Sequence, residues 1–159
     1  MDGRTLVIGC GNLLRGDDAA GPVLVRRMLD RGLPEGTEVA DGGTSGMDVA
    51  FRMRGAGHVI LVDASTTSGR PGTIFRLSGS DVERLPPLEG INLHSFRWDH
   101  ALAFGRWLLK GDYPEKVTVY LVEAGGFEFG APLSVEVDAA LDRLADHLTG
   151  QGPSDPVAS

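Results

Sequence analysis

Residues Leu6-Val7-Ile8 lead straight into Gly9-Cys10-Gly11-Asn12-Leu13-Leu14-Arg15-Gly16-Asp17-Asp18-Ala19-Ala20-Gly21, and the apolar residues that follow, Val23, Leu24, Met28 and Leu29, recur at helical spacing. An apolar run, a glycine loop and an amphipathic segment in that order make a strand, a tight turn and a helix packed back on the strand. A glycine loop at such a junction ordinarily offers main-chain amides and the positive end of the helix to a phosphate. Here two adjacent aspartates occupy the place of the anion. The loop therefore points to an α/β fold and argues against the ligand that usually accompanies it.

The same periodicities place strands at residues 5–9, 37–41, 58–63, 73–77 and 116–123, and helices at about 19–31, 47–54, 95–109 and 134–148. Gly32 and Pro34 end the first helix. Val59-Ile60-Leu61-Val62 is continuously apolar, as befits a central parallel strand buried on both faces. The linker 64–72 is too short for a parallel crossover, so the strand at 73–77 is expected to run antiparallel to the one at 58–63, near a sheet edge. Residues 78–93, with Pro86, Pro87 and Gly90, read as a long loop. The predicted fold is a three-layer, doubly wound α/β domain. Its sheet has five strands, mostly parallel, with one antiparallel edge strand and helices on both faces. A chain of 159 residues suits one domain over residues 1–149, and residues 150–159 have the composition of a disordered tail. Right-handed crossovers make the C-terminal ends of the first and third strands the topological switch point, where ligands bind. The opening loop, Asp63 and Gly42–Gly46 are delivered there.

Composition removes several classes of partner. Net charge is −7 and no basic cluster occurs, which argues against nucleic acid. No apolar run approaches the ~20 residues of a membrane span, and no basic-then-apolar leader opens the chain. The single cysteine precludes an internal disulfide and is consistent with a reducing compartment. These observations lead us to expect a cytoplasmic protein with no membrane partner. A nucleotide-binding domain is the weaker rival. Gly9 and Gly11 match two glycines of the dinucleotide fingerprint and Asp41 stands where a ribose-binding acid would. However, Leu14 occupies the third glycine position and the Walker pattern is absent.

The acids carry the chemistry. Helix capping needs one side-chain oxygen, so one of Asp17 and Asp18 is expected to cap the first helix and the other to face the crevice. Asp63 follows four apolar residues and would emerge from a buried strand at the same crevice, where a carboxylate needs a partner. His58 and His147 read as surface residues and His100 as a helix residue, whereas His94 ends the long loop just before a helix. Asp18, Asp63 and His94 together would offer two carboxylates and an imidazole, a set that suits a divalent metal and leaves positions open for substrate. Capping and turn structure alone account for the acids equally well. Cys10 reads as a small buried hydrophobe in preference to a nucleophile with His94 as base.

The segment from Val7 to Gly21 resembles the opening signature of the hydrogenase maturation proteases, the endopeptidases that trim the large subunit of nickel–iron hydrogenases. Asp41-Gly42-Gly43-Thr44-Ser45-Gly46 resembles their second signature, and Val62-Asp63-Ala64 their third. His94 resembles the histidine before their third helix, and Gly125 to Ser134 the glycine-rich stretch before the last. The likeness covers about residues 4–148. It departs at Asp18, often Glu in that family, and at Ala19-Ala20, where a glycine-containing form is commoner. It implies that Asp18, Asp63 and His94 are both the catalytic and the metal-contacting residues. The nickel would be carried by the substrate, though other divalent metals can occupy such a site. The implied partner is a hydrogenase large-subunit precursor, met by a monomeric protease. We add Asn12, Asp41, Gly42, Gly43, Thr44 and Gly46 as the residues that hold the extended peptide. The alternative implied by the same ligands is a non-catalytic nickel-site checkpoint or chaperone binding that precursor.

Overall fold

The structure, a computed structural model, describes residues 3–43, 50–66, 69–79, 81, 109–151 and 155–157. Strand β1 (Thr5–Cys10) is buried at every position but its first, as are β3 (His58–Ser65) and β5 (Lys116–Glu123). Strands buried along their length need neighbours on both edges and cover on both faces. The sheet supplies this in the order β2–β1–β3–β5–β4, with β2 at Thr37–Gly43 and β4 at Ile74–Ser78. β1 runs parallel to β2 and β3, β3 runs parallel to β5, and β4 is antiparallel. The antiparallel edge strand is as the short linker required. Its hydrogen-bonded neighbour is β5, not β3, because β5 takes the free edge of β3 over the whole register from His58–Lys116 to Ser65–Glu123.

Helices α1 (Ala20–Arg31) and α2 (Val135–Leu148) cover one face. Leu24 and Met28 of α1 and Leu141 and Leu144 of α2 pack on Val7, Ile60, Val62 and Val122. Each such fully buried side chain contributes roughly 1.5–3 kcal/mol. On the opposite face Met53, Ala56 and Leu109 pack on Leu6, Ile8, Leu61 and Val119. Residues 50–52 and 109 are helical there; the rest of the helices expected at 47–54 and 95–109 lies outside the described residues, or is turn at 53–54. The outer sides of α1 and α2 are joined by a ladder in which Arg27 pairs with Asp138 and Asp142, and Arg31 with Asp142 and Asp146. Both partners recur every four residues, so the two rows face each other along the helices.

One close approach sets the site. A side-chain carbon on Gly21 would collide with the main chain of Cys10 and Val62, and one on Gly9 with the carbonyl of Gly21. The first turn of α1 thus lies directly on the ends of β1 and β3. Of the tail expected to be disordered, Gly150, Gln151 and residues 155–157 are described; Asp155 pairs with Arg76 at 2.8 Å and Val157 packs against the α1–α2 core. Among the described residues no helix is long and apolar enough to cross a membrane.

Candidate active site

A 3-10 turn, Gly16–Ala19, connects the opening loop to α1, and all four of its residues are buried. Neither aspartate caps a helix of its own segment, contrary to expectation. The turn is preceded by Arg15 and α1 by Ala19, and neither end receives a side-chain hydrogen bond. The reason is that main-chain carbonyls satisfy these amides: Asp17 N–H donates to Gly126 O at 2.9 Å, Asp18 N–H to Arg15 O at 3.0 Å and Ala20 N–H to Asp17 O. The carboxylates are released for other work.

Asp17, only 1% exposed, reaches across to the loop before α2. Its Oδ1 accepts from Ser134 N–H at 2.7 Å, and its Oδ2 accepts from Gly125 N–H at 2.7 Å and Ser134 Oγ at 2.9 Å. Ser134 is the N-cap of α2, its Oγ also accepting from Val137 N–H. Main-chain bonds reinforce the join, from Asp17 N–H to Gly126 O and from Gly130 N–H to Leu14 O, with a bridge between Arg15 and Phe129. Asp17 is therefore the brace between the opening loop and the last helix. Sequence reasoning missed this partner because it lies 117 residues away.

Asp18 is fully buried. Its Oδ2 accepts from Asn12 N–H at 3.1 Å. The Asn12 side chain is used locally, Oδ1 accepting from Leu14 N–H at 2.8 Å in an Asx turn. Asn12 thus shapes the loop beside Asp18 with both its amide and its side chain. Asp63 is also fully buried; it lies near the C-terminal end of β3 with Oδ1 accepting from Ala64 N–H at 2.8 Å. Strand alternation puts it on the Leu61 face of the sheet, the face that also carries Cys10. Cys10 itself is buried in that apolar cluster.

Asp18 and Asp63 therefore lie on elements that meet at the C-terminal ends of β1 and β3, one on the turn that follows β1 and the other on β3 itself. Gly21 packed on Val62 holds the two elements together. β2 ends beside them. Its register advances from Asp41 to Gly43 while β1 advances only from Gly9 to Cys10, so Gly42 is an extra residue, a bulge of the kind that re-aims a strand end. Asp41 is exposed at that end. His94, Thr44 and Gly46 lie outside the described residues. Among the described residues no three His, Cys, Asp or Glu side chains form a group able to hold a metal ion. As a donor set, two buried carboxylates fit contact with a divalent cation, and a third ligand would have to come from elsewhere.

A further buried acid, Glu123, ends β5. Its Oε1 accepts from Gly69 N–H at 2.7 Å and its Oε2 from Ser65 Oγ at 3.0 Å, which ties down the chain leaving β3 just after Asp63. The signal that singled out Asp63, an acid after four apolar residues, is present at Val119–Val122 as well and would have found it.

The fold and these side chains define a doubly wound α/β protein with two buried carboxylates at its switch point. The family model described as hydrogenase maturation protease matches residues 22–151. A putative hydrogenase maturation protease of Methanocaldococcus jannaschii is 32% identical over 154 residues, covering 92% of this chain and 94% of that one. The hydrogenase 2 maturation protease of Escherichia coli is 32% identical over 147 residues, 91% of this chain and 88% of that protein. The solved structure of the hydrogenase maturating endopeptidase HybD from E. coli superposes with a TM-score of 0.76 at 29% identity, over 91% of this chain and 89% of that one. The chain belongs to the hydrogenase maturation protease family and is an endopeptidase of that family.

Proposed function

We propose that this protein removes the C-terminal extension of a nickel–iron hydrogenase large-subunit precursor after nickel has been inserted, and that Asp18, Asp63 and His94 contact the nickel carried by that substrate. The observation that carries the reading is the pair of fully buried carboxylates in a member of this peptidase family, Asp18 in the turn that leads from β1 into α1 and Asp63 near the end of the adjacent parallel strand β3. Buried carboxylates favour a cationic guest over an anionic one, which suits a substrate distinguished by its metal. A carboxylate beside the scissile bond can take the proton of an attacking water. The main-chain amides from Gly42 to Gly46, with Asn12 and Asp41 at the rim, hold the extended peptide and the oxygen that gains charge. The protein acts as a cytoplasmic monomer on this reading, with nickel arriving as part of the substrate.

The test compares nickel-loaded and nickel-free precursor, with the C-terminal shortening read by mass. Cleavage is expected only of the loaded form. Asp18→Asn and Asp63→Asn are expected to slow it about 100-fold or more, the range for a displaced acid or base. Equal cleavage of both forms would refute the metal-reading step. Tight binding of the loaded precursor with no cleavage would favour the checkpoint.

A further inference from the structure

Strand β2 is the outermost strand of the sheet on its side, and among the described residues no other strand pairs with its outer edge. Alongside it, between β2 and α1, runs a groove of about 570 Å³, lined by Pro22, Val23, Leu29 and Val39 and opening at Leu13 and Asp41. Its walls are mainly aliphatic. Leu13 and Leu29, at its two ends, are 57% and 53% exposed, so apolar surface is left open at both the upper and the lower mouth. The residues at the upper mouth adjoin the candidate active site along the chain: Leu13 follows Asn12, whose N–H bonds Asp18, and Asp41 precedes the Gly42 bulge.

We propose that the C-terminal segment of the precursor docks here as an extended strand, paired to the outer edge of β2, with apolar side chains at alternate positions seated in the groove. The inference rests on the proposed function for the identity of the occupant. An open strand edge supplies main-chain hydrogen bonds to an extended peptide, and a flanking groove selects its side chains. The groove runs along α1 from Pro22 to Leu29, seven helical rises or roughly 10 Å, which is about three residues of extended chain. From the added strand to the crevice between β1 and β3 is two and a half strand spacings, about 12 Å, or about four extended residues. The recognised segment therefore lies about four residues from the bond that is cut. The bulge at Gly42 bends the end of β2 where the peptide leaves the edge to cross toward Asp18 and Asp63.

Steady-state cleavage of nickel-loaded precursor by Leu29→Asp tests this. KM is expected to rise about tenfold or more with kcat within about twofold, and Leu29→Met to restore KM, since the change removes docking and leaves the chemistry intact. Amide exchange within 37–43 of the wild-type protein is expected to slow on adding the precursor, a readout that does not depend on cleavage. An unchanged KM in a folded, active Leu29→Asp overturns the proposal. So does unaltered exchange in β2 on a bound precursor, or a wild-type homodimer that Leu29→Asp dissociates, which would assign the edge to a second copy of this chain. Failure of the wild-type protein to cut any precursor counts against the proposed function, and the exchange experiment still decides the docking.

Discussion

At the residue scale, the adjacent aspartates divide the labour that the sequence assigned to them, but in a different way. Asp18, expected to face the crevice, is fully buried and accepts from Asn12 N–H. Asp17 was a candidate helix cap and instead braces the loop before α2, accepting from Gly125, Ser134 N–H and Ser134 Oγ. Capping is a local rule, read from the next three residues, whereas the brace depends on which distant loop the fold brings alongside. Asp17→Ala would leave four part-buried donors, the amides of Gly125, Gly126 and Ser134 and the Ser134 hydroxyl, without their shared acceptor, and is expected to lower the unfolding free energy by about 3 kcal/mol, measured by denaturant titration. Ser134→Ala keeps the main-chain bond to Asp17 and loses the hydroxyl and the cap, so a loss nearer 1 kcal/mol is expected. If the two variants cost the same, the carboxylate is not the brace. The site was legible in part for a related reason. Asp63 could be read because its burial is announced by the apolar run before it. Glu123 carried the same announcement and was overlooked.

At the scale of elements, the unit β1–loop–α1 is where sequence and structure agree most closely, because its strand, turn and helix are all specified by adjacent residues. What the pattern leaves open is which glycine does what. Gly11, at φ +136, belongs to the turn. Gly9 and Gly21 are small so that helix and strand can touch. Gly21→Ala would press a methyl group into the main chain of Cys10 and Val62, which cannot move aside as a side-chain tip could. We expect a loss of about 3 kcal/mol in stability. Cleavage activity should fall further than the unfolded fraction explains, because the displacement falls between the elements that carry Asp18 and Asp63. Activity that simply tracks the folded fraction would show that the crevice tolerates the shift. The placement of β4 shows the opposite case. A short linker dictates direction, so antiparallel was readable, but the neighbour of β4, which ends at Ser78, depends on β5, which begins only at Lys116. Strand order is a competition among elements, and no single linker records its outcome.

At the scale of the whole molecule, the two ends of the sheet differ in chemistry. The C-terminal end gathers buried carboxylates. The N-terminal end places His58 beside Lys116 and Thr118, with Arg76 and Asp81 lining the same pocket of about 380 Å³. Expected at the surface, His58 is half-buried and its Nε2 lies 2.9 Å from Thr118 Oγ1. Burial, and then the charge of Lys116, hold its pKa below the ordinary 6.5. The folded protein thus resists a proton that the unfolded chain accepts. Where the unfolded state binds more protons, stability rises with pH, so this residue favours the fold fully above pH 6.5 and loses that contribution as pH falls from 6.5 through its lowered value. The carboxylates and the other histidines titrate in the same experiment, so the informative quantity is a difference. Denaturation midpoints of the wild-type protein and His58→Gln, which keeps an acceptor for Thr118, should stand in a fixed relation from about pH 8 to 7. They should then converge, or cross in favour of the variant, as pH falls to about 5.5, because glutamine has no proton to accept. A constant offset across the whole range would mean that His58 titrates alike in both states and that its burial carries no pH-dependent cost.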